Sequence, residues 1–96
     1  MQRKFVVKTS KVFSKEMEEL SVGVALEITK ALKILEVSPL PSGKALIKKL
    51  KGFSPPLYRL RTGDFRVLYR ITGNKVAVLR VIDRKELERE LKRMLG

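Results

Sequence analysis

From residue 57 onward, apolar and polar side chains alternate with a period of two, the spacing that places successive residues on opposite faces of a sheet. Leu57–Arg61, Phe65–Ile71 and Val76–Ile82 are predicted strands, joined by the turn dipeptides Gly63-Asp64 and Gly73-Asn74, which suit tight hairpins. The N-terminal half begins with a β-branched and aromatic strand, Lys4–Thr9, and then changes period. Ser10 is a predicted N-cap for a helix to Leu20 that faces Phe13, Met17 and Leu20 inward. Ser21 caps a second helix to about Val37, with Ala25, Ile28, Leu32 and Leu35 as its stripe, widened by Val24 and Ala31. Pro39 and Pro41 end it, since proline lacks the donor and clashes with the preceding turn. Pro39–Gly43 is a loop, and Lys44–Lys51 is a short basic segment that the pattern leaves unassigned. Arg84–Leu95 is a terminal helix with Asp83 as cap and Leu87, Leu91, Met94 and Leu95 as its apolar face. The order βααβββα predicts one α+β domain over residues 1–96, a small antiparallel sheet with two N-terminal helices packed on one face and a C-terminal helix.

Two-residue turns fix a register. Thr62 then opposes Phe65, Arg61 opposes Arg66 and Arg59 opposes Leu68; across the next hairpin Tyr69 opposes Val78 and Val67 opposes Arg80. One face collects Tyr58, Leu60, Phe65, Val67, Tyr69, Ile71, Val76, Val78 and Ile82, with Arg80 as its lone charge. The helices should cover this face. The other collects Arg59, Arg61, Arg66 and Arg70 around Leu68, Ala77, Leu79 and Val81, and should be open and electropositive. Like charges directly opposite each other destabilise a sheet. The Arg61–Arg66 pair is thus a local conflict of the kind expected at functional sites, and forked guanidinium groups suit bidentate phosphate contacts. A solvated face in an arginine-rich chain is the bland alternative.

Charge narrows the partner. Lys and Arg number 22 against 10 Asp and Glu, a formal net charge of +12, which calls for nucleic acid, an acidic protein or an anionic surface. No apolar run nears the ~20 residues of a membrane span. No apolar leader region follows the N-terminus, so the expected setting is cytoplasmic. The chain has no cysteine and no histidine, so disulfides and thiolate or imidazole metal sites are excluded; neither a metal nor another cofactor is expected.

Several segments in order carry a resemblance. Lys49-Leu50-Lys51-Gly52, Tyr58-Arg59-Leu60-Arg61, Gly63-Asp64-Phe65-Arg66-Val67-Leu68-Tyr69 and Leu79-Arg80-Val81-Ile82-Asp83-Arg84 resemble the running signature of the RelE/ParE toxin superfamily. The resemblance is most specific over residues 49–84, and the element order extends it over nearly the whole chain. It implies a RelE-like fold and the toxin of a type II toxin–antitoxin module. Such a toxin enters the ribosome and cuts mRNA by attack of a 2′-hydroxyl on the adjacent phosphate, and an acidic antitoxin neutralises it. Through the resemblance, Arg59, Arg61, Arg66 and Arg84 match the family's catalytic cations. Arg66 and Arg84 take the phosphate and the transition-state charge, while Arg59 and Arg61 orient the RNA. Lys48, Lys49, Lys51, Arg70 and Lys85 are assigned to RNA contact.

The chain also departs from the pattern. Asp83 stands at the family's histidine position, Glu88 at its C-terminal tyrosine and Ile82 at its glycine. Lys51, Lys85 and Glu88 remain as candidate bases, and the sequence singles out none. The loss of the histidine and tyrosine equivalents leaves two alternatives: a non-enzymatic ParE-like toxin that inhibits DNA gyrase, and a catalytically impaired homologue that only binds RNA or antitoxin. A plain basic nucleic-acid-binding domain explains the charge but not the ordered motifs.

Overall fold

The computed structural model describes residues 4–43 and 46–96; Lys44 and Ala45, the start of the unassigned basic segment, lie outside the described residues. The elements are β1 (Val6–Thr9), α1 (Lys11–Glu18), α2 (Val22–Val37), β2 (Ile47–Leu50), β3 (Leu57–Thr62), β4 (Phe65–Thr72), β5 (Lys75–Asp83) and α3 (Leu87–Leu95). The α+β class and the order expected from the pattern hold, with one strand more. Ile47–Leu50 pairs antiparallel with Leu57–Leu60, so the unassigned segment is the edge strand β2. The sheet runs β1-β5-β4-β3-β2. It is antiparallel from β2 to β5, as expected, but mixed overall, because β1 lies parallel to β5.

Local chemistry sets most of these boundaries. The Ser10 hydroxyl accepts from the Phe13 N–H at 3.0 Å and the Ser21 hydroxyl from the Val24 N–H at 3.3 Å, satisfying donors that a helix start leaves open. Both hairpins close with two residues, Thr62 facing Phe65 and Thr72 facing Lys75. Gly63 and Gly73 take φ of 58° and 60° at the first central position, where a glycine loses nothing to a Cβ clash. Asp83 is not a helix cap. It is the last residue of β5, and its carboxylate accepts from the Lys85 N–H at 2.8 Å while its carbonyl accepts from Glu86. That turn delays α3 to Leu87.

One correction to the register matters for function. Arg61 faces Arg66, Arg59 faces Leu68 and Tyr69 faces Val78 as expected, but Val67 faces Val81 rather than Arg80. A bulge at Leu79 inserts one residue into β5 opposite Leu68 and Tyr69. Because strand parity is two, a single extra residue exchanges the faces of everything after it. Val81 therefore joins the core under α1 and α2, and Ile82 turns to the opposite face beside Leu57 and Leu68. The same shift removes Arg80 from the apolar core. Its guanidinium binds Glu16 of α1 at 2.7 Å and Glu90 of α3 at 3.1 Å. Glu16 also accepts from the Val81 N–H at 2.9 Å, closing the part of the β5 edge that β1 does not reach.

Two layers of helix enclose the sheet. Phe13, Ile28 and Leu35 pack on Leu60, Val67, Tyr69, Val76 and Val78. On the other face Leu87 and Leu91 of α3 pack on Leu57, Leu68 and Ile82, so the arginine-bearing face is not wholly open as expected. Tyr69 is fully buried and stacks on Tyr58 with ring centroids 5.6 Å apart. Its hydroxyl donates to the Pro39 carbonyl at 2.6 Å, and burial pushes its pKa up. Tyr69→Phe should leave that carbonyl unsatisfied and cost about 1–3 kcal/mol, measured by denaturant unfolding; an unchanged midpoint would mean the bond adds nothing.

Candidate nucleic-acid interface

The direction of α3 decides which part of its face stays open. It starts beyond the end of β5, at the row where Phe65 faces Asp83. At its other end the Leu95 side chain lies 3.7 Å from where a Cβ on Gly52 would stand, in the turn between β2 and β3. The helix thus crosses the face diagonally. One corner, where β3 and β4 meet their hairpin, remains uncovered.

That corner holds the arginines. Arg59 and Arg61 alternate along β3, Arg66 faces Arg61 across the ladder, and Lys48 of β2 faces Arg59. Arg84 follows β5, with its N–H donated to the Asp64 carbonyl at 2.9 Å. Its Nε lies 3.5 Å from the Asp64 carboxylate, so the hairpin tip ties Arg84 to the same corner. The groups in this corner also act on one another electrostatically. Partial burial and then the nearby charges of Arg66 and Arg61 lower the pKa of Arg59. Burial followed by Arg61 and Arg84 does the same for Arg66, with Asp64 and Asp83 opposing. Arg59 and Arg66 stay protonated, since arginine does not lose its proton in proteins; the shifts reflect burial first and crowding of like charge second.

The cations are held differently. Arg66 donates to the carbonyls of Gly63 and Phe65, each at 3.0 Å, so the turn itself aims its guanidinium. Arg59 donates to the Leu46 carbonyl at 3.4 Å. Arg61 is exposed and has no ion pair among the described residues. The Arg84–Asp64 pair is solvent-exposed on both sides and adds little stability; it orients rather than neutralises. Such a corner can bind a phosphate and stabilise charge that grows on it.

Other sequence candidates lie elsewhere. Lys49 faces Tyr58 and so projects to the α1–α2 side. Lys51 and Lys85 are exposed, in the β2–β3 turn and in the β5–α3 turn. Arg70 stands four residues along β4 from Arg66, facing Ala77, beyond the path of α3. Glu88 is almost fully exposed and sits 3.7 Å from Lys92. The residues that crowd Arg66 with opposite charge are Asp64 and Asp83; Asp64 was missed as a positioning group, although its place in the hairpin turn was a signal. A separate open cleft of about 420 Å³ runs between α1 and α3, lined by Glu16, Glu19, Asp83, Glu86 and Glu90 with Arg80 and Arg89. Five carboxylates there disfavour phosphate, in contrast to the arginine corner. Among the described residues no group of three or more acidic side chains could hold a metal ion, and no helix is long and apolar enough to cross a membrane.

Comparison with known proteins adds an independent finding. Residues 7–88 match the family described as the ParE toxin of the type II toxin–antitoxin system parDE. The chain is 33% identical over 84 residues to a putative toxin RelE1 of Methanocaldococcus jannaschii, covering 86% of this chain and 92% of that protein. It superposes with a TM-score of 0.72 and 30% identity on a chain of the archaeal RelE–RelB complex from Pyrococcus horikoshii, covering 84% of this chain and 96% of that one. The isolated RelE toxin of E. coli gives a TM-score of 0.66 at 26% identity, covering 95% and 99% of the two chains.

Proposed function

The chain belongs to the RelE/ParE superfamily of toxins of type II toxin–antitoxin systems, and from that premise we propose that it is a ribosome-dependent mRNA endonuclease neutralised by an acidic antitoxin. The single observation that carries the reading is the convergence of Arg59, Arg61, Arg66 and Arg84 at the corner that α3 leaves open. In the proposed reaction the 2′-hydroxyl of one nucleotide gives its proton to solvent and attacks the adjacent phosphate; the new P–O2′ bond closes a cyclic phosphate, the P–O5′ bond breaks and the 5′-oxygen takes a proton from solvent. Arg66, aimed by its own turn, and Arg84, steered by Asp64, bind the phosphate oxygens whose charge increases in the transition state. Arg59 and Arg61 hold the flanking backbone in line. With Asp83 and Glu88 at the positions where the resemblance implies histidine and tyrosine, the rate rests on charge stabilisation rather than on a neutral-pH acid–base pair of side chains.

The same substitutions favour a second reading, a ParE-like toxin that stops DNA gyrase by contact. One experiment separates them. Purified protein added to in vitro translation should produce new mRNA 3′ ends, mapped by primer extension, only on translated messages. Intact mRNA together with loss of gyrase supercoiling would select the second reading.

An antitoxin with acidic segments meets the open corner through carboxylates on Arg59, Arg61 and Arg66. Contact with Leu68, which is fully buried beneath α3, requires that helix to move. Association should be steered by charge, its rate falling at least about tenfold between about 0.05 and about 0.5 M salt. A rate indifferent to salt, measured by stopped flow, would remove the electrostatic part of this account.

A further inference from the structure

The diagonal path of α3 leaves a second corner of the same sheet face uncovered, at the opposite end of β4 and β5. Two ladder rows cross it. Lys8, Ala77 and Arg70 stand side by side on β1, β5 and β4, and Val6, Lys75 and Thr72 form the next row. Burial fixes the orientation of the outer strand: Val7 packs into the core under the N-terminal helices, so Val6 and Lys8 project to the α3 side, and both are exposed. Ala77 is exposed as well. It gives a low floor with Lys8 on one side, Arg70 on the other and Lys75 two residues along the strand. At a strand spacing of about 4.8 Å, the Lys8 and Arg70 backbones stand about 10 Å apart. No carboxylate occupies either row.

Arg70 carries the most specific sign. Its Nε is buried from solvent and has no hydrogen-bond partner among the described residues, an exception to the rule that such groups are satisfied. Arg66 is tied to its turn and Arg80 to two carboxylates; the Arg70 Nε has no such bond among the described residues. A small rotation would turn its fork to an incoming oxyanion and satisfy the orphaned donor.

We infer that Lys8, Arg70 and Lys75 form a second phosphate-binding corner, which grips the backbone of a structured RNA while the Arg59–Arg66 corner takes the phosphate that reacts. The inference rests on the reading of the first corner as an RNA site. Four residues of β4 separate Arg66 from Arg70, about 13 Å at the strand rise, with α3 lying between the corners. An RNA backbone that touches both must pass over or around that helix, which suits a folded RNA better than a short extended strand. The chemistry favours RNA over an acidic protein. A protein interface needs a desolvated apolar centre, and these rows offer only Val6 and Ala77. Phosphate contacts need charge and access.

The test uses Lys8→Gln/Arg70→Gln/Lys75→Gln in the full-length protein. A second variant, Lys8→Gln/Lys75→Gln, leaves the partly buried Arg70 in place and removes any concern about folding. Binding of a fluorescent RNA hairpin is measured across a salt series, and mRNA cleavage on ribosomes across toxin concentrations. The triple variant should bind the hairpin about tenfold more weakly, with a log–log salt slope shallower by about two. Its half-saturating concentration for cleavage should rise while the saturated rate stays within about twofold, a separation expected for lost uniform binding. The double variant should fall between it and the parent. Hairpin affinity unchanged in both variants would overturn the second corner, as would a loss confined to antitoxin affinity. A parent protein that binds the hairpin through these residues yet never cuts mRNA would instead overturn the nuclease reading and leave the corner standing.

Discussion

Arg66→Ala should reduce mRNA cleavage on translating ribosomes by about 100- to 1,000-fold, the usual loss when one preorganised donor to a transition-state oxyanion is removed. Arg66 is chosen because its aim is set before any ligand arrives, through its bonds to the Gly63 and Phe65 carbonyls. Arg84→Ala should produce a comparable loss, since Arg84 is the other cation brought to the same place by the hairpin tip. Neither change should unfold the protein. Both side chains lie at the surface of the sheet end, and removing one of several crowded like charges relieves repulsion, so melting temperatures should stay within about 3 °C of the parent. Arg66→Lys separates charge from geometry: it keeps the cation and loses the fork, so intermediate activity is expected. Primer extension on in vitro translation reactions gives the rates. Full activity in both alanine variants would end the assignment of the corner as the catalytic site.

The largest effect on stability is expected at Leu68→Ala. Leu68 is fully buried between the sheet and α3, together with Leu57 and Ile82, whereas α3 buries no residue completely. The helix is amphipathic and short, and a nine-residue helix does not hold itself together in water. Its position therefore depends on that small cluster and on the Arg80–Glu90 pair. Truncating Leu68 removes the floor of the cluster and should cost about 2–5 kcal/mol, lowering the melting temperature by roughly 10–20 °C. Amide exchange should report where the loss falls, with Leu87–Leu95 losing protection ahead of β4 and β5. A cost below about 1 kcal/mol, or uniform loss of protection, would show that α3 is not anchored there.

Local chemistry made much of the molecule legible from its residues. The two serine caps, the prolines that end α2 and the glycines of the two hairpin turns act over three or four residues, so the chain order alone contains them. Two-residue turns also dictate strand register near each turn, which is why Arg61 could be set against Arg66 and the Arg59, Arg61 and Arg66 side chains gathered on one face without coordinates. The resemblance supplied Arg84, whose place depends on the Asp64 contact across the site.

Everything that depends on contacts between distant segments needed the tertiary structure. A bulge at Leu79 is a compromise between β4, the parallel β1 and the Glu16 carboxylate that receives the Val81 N–H; no local signal announces an extra residue, yet it reverses the faces of Arg80, Val81 and Ile82. The basic segment at Ile47–Leu50 becomes a strand only because β3 presents an edge for it. The lie of α3, from the end of β5 to Gly52, divides one arginine-bearing face into two corners. Amphipathicity requires this helix to bury Leu87 and Leu91, but only the shape of the sheet beneath could decide in which direction, and hence which cations remain uncovered.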